Sequence, residues 1–230
     1  MNRPCWMDGR KGGGGPATPV AEPPPEGGDL DEVYEPAEDT FLLLRAAEEE
    51  VTPKDRVLEM GCGRGIISKA IAPLARRVIA TDINPVAVSL LHREGIETIR
   101  ADLFMGIGSK FDLVLFNPPY LPTEEEEVLE GRLNLAFDGG KTGRDAINRF
   151  LEMLKDHLDP DGGRALLLVS SLSGPSEVAE KARLEGLSSE VVARERHFFE
   201  ELLVLRLAPC PAEGRRGRET EAASPGPKYT

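Results

Sequence analysis

Cysteine is scarce: Cys5, Cys62 and Cys210 in 230 residues, an odd number without paired spacing. That leaves no basis for a disulfide framework or a cysteine-based zinc site. The three histidines (His92, His157, His197) lie on separate elements, where solvated or capping roles are expected and no metal-ligand set forms. No apolar run approaches the ~18 residues that span a bilayer, and the N-terminus lacks the apolar core of a secretory signal. Positive charge is also short. The 28 Lys and Arg face 40 Asp and Glu, for a net charge of −12. Such a chain repels a polyanion, whereas nucleic-acid binding rests on phosphate neutralisation. These absences describe a soluble, cytoplasmic protein without membrane or nucleic-acid partners.

Order is expected in the middle of the chain. Residues 1–28 and 209–230 hold 10 of the 24 glycines, 10 of the 19 prolines and the only tryptophan, Trp6. Segments of that kind bury too little to offset their ordering entropy. The expected organisation is a disordered tail over 1–29, one domain over 30–208 and a second disordered tail over 209–230. The tails are nearly neutral, so the domain carries essentially all the negative charge.

Within the domain, short apolar runs alternate with amphipathic segments. Strands are expected at 57–60, 78–81, 97–100, 113–116 and 165–170, with two more near 190–193 and 202–207. Residues 113–116 and 165–169 are apolar throughout, as strands buried on both faces should be. Ile66, Ile67, Ala70, Ile71 and Leu74 mark one helical face, and Ala146, Ile147, Phe150, Leu151 and Leu154 another. Asn84 suits an N-cap, Pro85 the first helical position and Gly95 the C-terminal stop. A further helix is expected over 176–185, ended by Gly186. The alternation implies an α/β, Rossmann-like fold: a seven-stranded, mostly parallel sheet with helices on both faces. The last two strands have no helical pattern between them, which predicts an antiparallel strand near the end.

The first strand runs into a helix through Glu59-Met60-Gly61-Cys62-Gly63-Arg64-Gly65. A dinucleotide fingerprint needs glycine or alanine where Ile66 stands, and the phosphate-binding G-x-x-x-x-G-K-[ST] is absent. Instead the pattern is E-x-G-x-G-x-G, with Gly61 and Gly63 letting a ligand approach the backbone. Asp82 ends the next strand, where a carboxylate can accept both hydroxyls of a ribose. Glu59 is a poor neighbour for pyrophosphate and a good one for a cation. Asp102 ends the third strand, placed for a base amine. S-adenosylmethionine, with its sulfonium, ammonium, ribose and adenine, fits these groups. Cys62 reads as a small turn residue.

The fourth strand ends in Asn117-Pro118-Pro119-Tyr120. Two prolines remove two donors and stiffen the exit from the sheet, leaving acceptors and an aromatic ring. A planar amide or amino nitrogen is a weak nucleophile because its lone pair is delocalised. The Asn117 side-chain oxygen and the Pro118 carbonyl could each accept one of its N–H groups, and Tyr120 could stack on its plane. No strong general base is needed before the methyl group moves.

Here the sequence resembles a known group. The glycine loop with Asn-Pro-Pro-Tyr is similar to class I methyltransferases that modify planar nitrogens. Residues 33–44, Val-Tyr-Glu-Pro-Ala-Glu-Asp-Thr-Phe-Leu-Leu-Leu, resemble the N-terminal signature of the HemK-type glutamine methyltransferases, archaeal and eukaryotic branch. Residues 138–145, Asp-Gly-Gly-Lys-Thr-Gly-Arg-Asp, resemble the same branch. The likeness implies S-adenosylmethionine-dependent methylation of the glutamine amide in the Gly-Gly-Gln loop of a class I peptide chain release factor. It also implies that Thr40, Glu59, Gly61, Asp82, Asp102 and Leu103 line the cofactor, and that Asn117 and the prolines hold the glutamine amide. A small zinc-binding activator protein would form a heterodimer with the chain.

Residue chemistry alone makes Tyr34-Glu35-Pro36 a helix lead-in and Phe41, Leu44 and Val51 a packed face; the resemblance makes the segment a wall of the cofactor site. In this fold's strand order residues 97–100 form a sheet edge, with Ile96 and Ile99 near it, where an activator strand could add. Glu124–Glu127 is either a solvated loop or an acidic rim for a basic partner. The competing activity is adenine-N6 methylation of DNA or RNA, against which the −12 charge counts.

Overall fold

The computed structural model describes residues 33–122 and 139–210. Residues 1–29, residues 211–230 and Glu124–Glu127 lie outside the described residues.

One seven-stranded sheet organises the molecule, in the order β3-β2-β1-β4-β5-β7-β6. The strands are β1 (Arg56–Met60), β2 (Arg77–Asp82), β3 (Glu97–Arg100), β4 (Leu113–Phe116), β5 (Arg164–Ser170), β6 (Leu187–Arg196) and β7 (Glu201–Pro209). β1 to β5 pair in parallel, while β7 is antiparallel to both β5 and β6. The chain thus closes with a β6–β7 hairpin, and β7 is the antiparallel strand expected near the end. β7 runs through Pro209, one residue further than the domain was expected to reach.

The central strands show why an unbroken apolar run is needed. Every residue of β4 and β5 is buried, and alternate side chains feed different cores. Val114, Phe116, Ala165 and Leu167 join one cluster with Ile147, Phe150, Leu151 and Leu154 of helix α4 (Asp145–His157). Val178 and Ala182 of α5 (Pro175–Leu184) belong to that cluster too. Leu113, Leu115, Leu166 and Leu168 join the other, with Ile67 and Ile71 of α2 (Ile66–Ile71) and Leu42, Leu43, Ala46 and Ala47 of α1 (Glu38–Glu50). This is the period-2 alternation of a sheet covered on both faces.

Two expected faces are corrected. α2 stops at Ile71, and Leu74 is exposed. On α1 the packed stripe is Leu42, Leu43, Ala46 and Ala47, whereas Phe41 points outward. Leu44 and Val51 do pack, partly buried, against the same cluster, so only Phe41 departs from the expected face, and the small Ala46 and Ala47 add contact that the spacing of large residues did not show. Helix α3 (Pro85–Arg93) follows expectation: Asn84 caps it by accepting from Val86 N at 2.9 Å, and Gly95 follows with φ +85°.

A buried ion cluster closes the amino-terminal end of the sheet. Arg164, first residue of β5, donates from Nε to Glu50 Oε2 (2.9 Å) and from Nη2 to Asp55 Oδ2 (2.9 Å). Its Nη1 donates to the Asp112 carbonyl (3.0 Å). The end of α1 and the entries to β1, β4 and β5 are thereby tied together.

The direction of winding changes between β1 and β4, since chain order leads outward through β2 and β3 before returning to β4. Ligands in open α/β sheets bind at such a switch point, beyond the carboxyl ends of the strands.

Candidate active site

The turn after β1 depends on three glycines in the left-handed region, Gly61 (φ +62°), Gly63 (φ +50°) and Gly65 (φ +69°). Gly65 is doubly constrained, because a Cβ there would stand 2.1 Å from a methyl of Leu91. The turn is fastened to the end of β2. Asp82 accepts from Gly63 N at 2.9 Å through Oδ2 and from Asn84 N at 2.8 Å through Oδ1. Burial pushes the Asp82 carboxyl above its usual range, against the pull of those N–H groups.

Glu59 departs in part from expectation. Rather than standing free at the turn, it is buried and turns Oε2 to Ser68 of α2, accepting from the backbone N–H (2.8 Å) and from the hydroxyl. Burial pushes its pKa up to about 7, with the Ser68 bonds opposing. Asp102 also has a partner, Arg149 Nη2 of α4 at 2.7 Å. Leu103 beside it has φ +49°, the only positive φ among the described non-glycine residues; such backbone costs energy and clusters at functional sites.

Across the crevice, Asp39 in the first turn of α1 gathers the acceptor side. Its Oδ2 accepts from Tyr34 Oη (2.8 Å), Asn117 Nδ2 (3.1 Å) and Tyr120 Oη (3.3 Å). The Thr40 hydroxyl donates to Oδ1 at 3.2 Å. A carboxylate oxygen can only accept, so the Asn117 amide must turn its NH2 end toward Asp39. Its Oδ1 then faces away, buried and with no partner among the described residues. Burial, then the charge of Asp39, holds both phenols well above their usual range, so Tyr34 and Tyr120 stay donors.

The stretch after the catalytic strand is clasped from outside. Gly139 N donates to the Leu121 carbonyl at 3.1 Å, and a Cβ on Gly143 (φ +68°) would lie 2.3 Å from the Tyr120 carbonyl. Any side chain at Gly143 would displace Tyr120. The second resemblance motif therefore has a physical task, holding Asn117–Tyr120 in place; Asp138 lies outside the described residues.

One cavity of about 360 Å³ brings these parts together, a size suited to a cofactor. Thr40, Glu59, Gly61, Gly63, Asp82, Asp102, Leu103, Asn117, Pro118, Pro119 and Tyr120 all line it. So do Asp39 and Arg149, which the sequence reading did not select. Asp39 could have been found from its place within residues 33–44; Arg149, on a helix chosen for its apolar stripe, gave no signal. Glycine backbone, carboxyl groups at three strand ends and a net negative wall suit a cationic nucleoside such as S-adenosylmethionine.

His157 is not merely solvated: its ring nitrogens lie 2.9 Å from the Met153 and Ile107 carbonyls and it stacks 4.2 Å from Phe104. Cys62 is a buried turn residue. Among the described residues no group of three or more His, Cys, Asp or Glu could hold a metal ion, and no helix is long and apolar enough to cross a membrane.

The chain is similar to known proteins. The methyltransferase small domain family matches residues 37–132. A putative protein N5-glutamine methyltransferase of Methanocaldococcus jannaschii is 46% identical over 181 residues, covering 76% of this chain and 90% of its own. The mouse methyltransferase HEMK2 is 34% identical over 79% of this chain and 92% of its own. Among solved structures, the E. cuniculi Mtq2–Trm112 complex, responsible for methylating the translation termination factor eRF1, superposes with TM-score 0.64. It is 30% identical, over 77% of this chain and 99% of that one.

Proposed function

We propose that this chain, which belongs to the HemK2/Mtq2-type protein N5-glutamine methyltransferases, methylates the side-chain amide nitrogen of the glutamine in the Gly-Gly-Gln loop of a class I release factor. It is an S-adenosylmethionine-dependent enzyme. The observation that carries the substrate class is the buried, unpartnered Oδ1 of Asn117, held in that orientation by Asp39.

S-adenosylmethionine supplies the electrophilic methyl group. Its ribose hydroxyls are assigned to Asp82, its adenine to Asp102 and Leu103, and its cationic part to the wall containing Glu59, Thr40, Gly61 and Gly63. Asn117 Oδ1 and the Pro118 carbonyl each accept one N–H of the incoming amide. Both acceptors would draw electron density toward nitrogen and hold its lone pair ready for the methyl group, and one of the two N–H protons would be lost to water as the new N–C bond forms. Tyr120, its hydroxyl tied to Asp39, offers a fixed ring for the planar amide. Asp39 touches no reacting atom; it is a positioning residue. The gain is mainly orientation, typically worth orders of magnitude in rate.

A second protein belongs to the reading. Relatives include a chain solved with Trm112, and among the described residues β3 pairs only with β2, leaving an open edge. Ile99 on that strand is 39% exposed. An added strand from a small zinc-binding activator would pair this backbone and cover Ile99. Hydrogen exchange tests the placement: amides of residues 96–101 gain protection when the activator is added, and protection only elsewhere rejects this edge. We assign the reaction to the cytoplasm, where release factors work, and to the domain expected over residues 30–208.

Mass spectrometry of a class I release factor incubated with the chain, S-adenosylmethionine and activator tests the whole reading. One added methyl group on the Gly-Gly-Gln glutamine is expected. An unmodified factor, or a methyl group only on adenine of an added oligonucleotide, overturns it.

A further inference from the structure

The β6–β7 hairpin ends in two side chains that the active site does not use. Phe198 is 92% exposed and Phe199 is 86% exposed, their rings 4.7 Å apart and edge to face. The hairpin closes with His197 N donating to the Glu200 carbonyl at 2.8 Å. Two-residue hairpin loops favour glycine or asparagine at positive φ, yet neither phenylalanine has positive φ. The pair therefore owes nothing to turn formation, and exposing two phenyl rings to water is costly. Rigid exposed aromatics are the commonest anchors of protein interfaces.

Position says what the tip meets. Glu200 next to it accepts from the Ser170 hydroxyl at 2.5 Å, and Glu201 N donates to Ser171 Oγ at 3.0 Å. The tip is thus pinned to the carboxyl end of β5, the strand beside β4 and its Asn117 exit. The turn it is pinned to carries the exposed Leu172, and on α1 the exposed Phe41 lies one turn from Arg45, which pairs with Glu195 of β6. The tip and Leu172 thus stand at the carboxyl end of the sheet, the end that carries Asn117 and the cavity, and Phe41 directly follows the cavity-lining Asp39 and Thr40. The β3 edge lies at the other end of the seven-stranded sheet, six strand spacings or about 29 Å away. A partner strand added there leaves the tip free.

We propose that the Phe198–Phe199 tip, with Leu172 and Phe41, docks the protein that carries the methyl-accepting side chain, gripping an apolar patch of it outside the acceptor loop. This rests on the methyl-acceptor assignment made above. The tip supplies affinity for the whole folded substrate, while Asn117 and its neighbours read the amide.

The test compares two substrates with the full chain and activator in every arm: a whole class I release factor and a short peptide containing Gly-Gly-Gln. For the double variant Phe198→Ser/Phe199→Ser, kcat/KM on the whole factor should fall at least tenfold, mostly through KM. Turnover of the peptide and affinity for S-adenosylmethionine should stay within twofold of wild type. Phe198→Leu/Phe199→Leu, which keeps apolar bulk, should recover most of the loss. Unchanged kinetics on the whole factor overturn the proposal. Equal losses on both substrates with a lower melting temperature overturn it too, assigning the tip to packing within the chain. A wild-type dimer that the variant dissolves, with factor kinetics unchanged, assigns the tip to a second copy instead. Failure of the wild type to methylate the factor at all is a different result: it removes the substrate assignment, and this inference with it.

Discussion

Helix α1 has a buried carboxyl cluster at each end, and the two are built differently. Near its end, Glu50 joins Asp55 in gripping Arg164, whose Nε, Nη1 and Nη2 all find acceptors. In its first turn, Asp39 gathers Tyr34, Asn117 and Tyr120 but leaves Asn117 Oδ1 with no partner among the described residues. The first cluster is closed and the second stays one donor short. A buried unsatisfied acceptor costs about 1–3 kcal/mol, so it persists where a ligand is to supply the donor. The amino end of the sheet is committed to holding strands together, and the carboxyl end to binding.

The sharpest way to break this contrast is to open the closed cluster. Arg164→Ala leaves Asp55 buried without its cation, with Glu50 keeping only Arg206, and losing one partner of a buried pair typically costs 3–5 kcal/mol. Thermal unfolding should fall by about 10 °C, while turnover well below the melting temperature stays near wild type. A large loss of kcat without loss of stability would erase the distinction. The reciprocal change is Asn117→Ala. Removing a preorganised acceptor should cut turnover by about 10²–10³, with little effect on S-adenosylmethionine affinity or melting temperature. Asp39→Asn should reduce turnover in the wild-type background and clearly less in Asn117→Ala, where only its hold on Tyr120 is left to lose. Additive losses in that double-mutant cycle would mean that Asp39 does not work by orienting Asn117.

The two clusters were unequally legible in the sequence. Strand order and most element bounds follow from unbroken apolar runs, glycine turns and the Asn84–Pro85 helix start, all local signals. Asn117, Asp82 and Asp102 were visible because each directly follows or ends a predicted strand. Asp39 stood inside the 33–44 motif without a visible role: its partners lie 5, 78 and 81 residues away, and the fold makes it a hub. Arg164 was hidden for the same reason, with its carboxylates 114 and 109 residues distant. A lone arginine opening an apolar strand resembles any solvated strand end. Phe198 and Phe199 fall between the two expected late strands, where nothing in the sequence singled them out, and the hairpin exposes them.

A gentler probe separates cofactor binding from amide binding within the open end. Asp82→Ala removes the acceptor assigned to the ribose hydroxyls. A charge-assisted hydrogen bond is worth about 1.5–3 kcal/mol, or roughly 10- to 150-fold in affinity. Titration calorimetry should show that loss for S-adenosylmethionine, with a much smaller drop in turnover at saturating cofactor. Because Asp82 also holds Gly63 N and Asn84 N, Asp82→Asn should sit between wild type and alanine. Unchanged affinity in the alanine variant would detach the ribose from β2.

The smallest expected effect is a pH dependence. Burial raises the Glu59 carboxyl to about 7 from an ordinary carboxylate value. The fold therefore favours its neutral form, and the stability this contributes is present at low pH and lost as pH rises through 7. A cationic ligand in the same cavity acts in the opposite sense, favouring the ionised form and lowering that pKa. Affinity for S-adenosylmethionine should then increase between pH 6 and 8, by at most about tenfold, with release of up to one proton. S-adenosylhomocysteine lacks the sulfonium charge and should show a flatter profile. Asp82 also sits in this wall with a raised carboxyl, so the assignment needs Glu59→Gln, which keeps an acceptor for Ser68 but cannot ionise. Calorimetry in buffers of different ionisation enthalpy should find the proton release abolished in that variant. If it persists there undiminished, the titrating group is elsewhere in the wall, and Glu59 serves only to anchor helix α2.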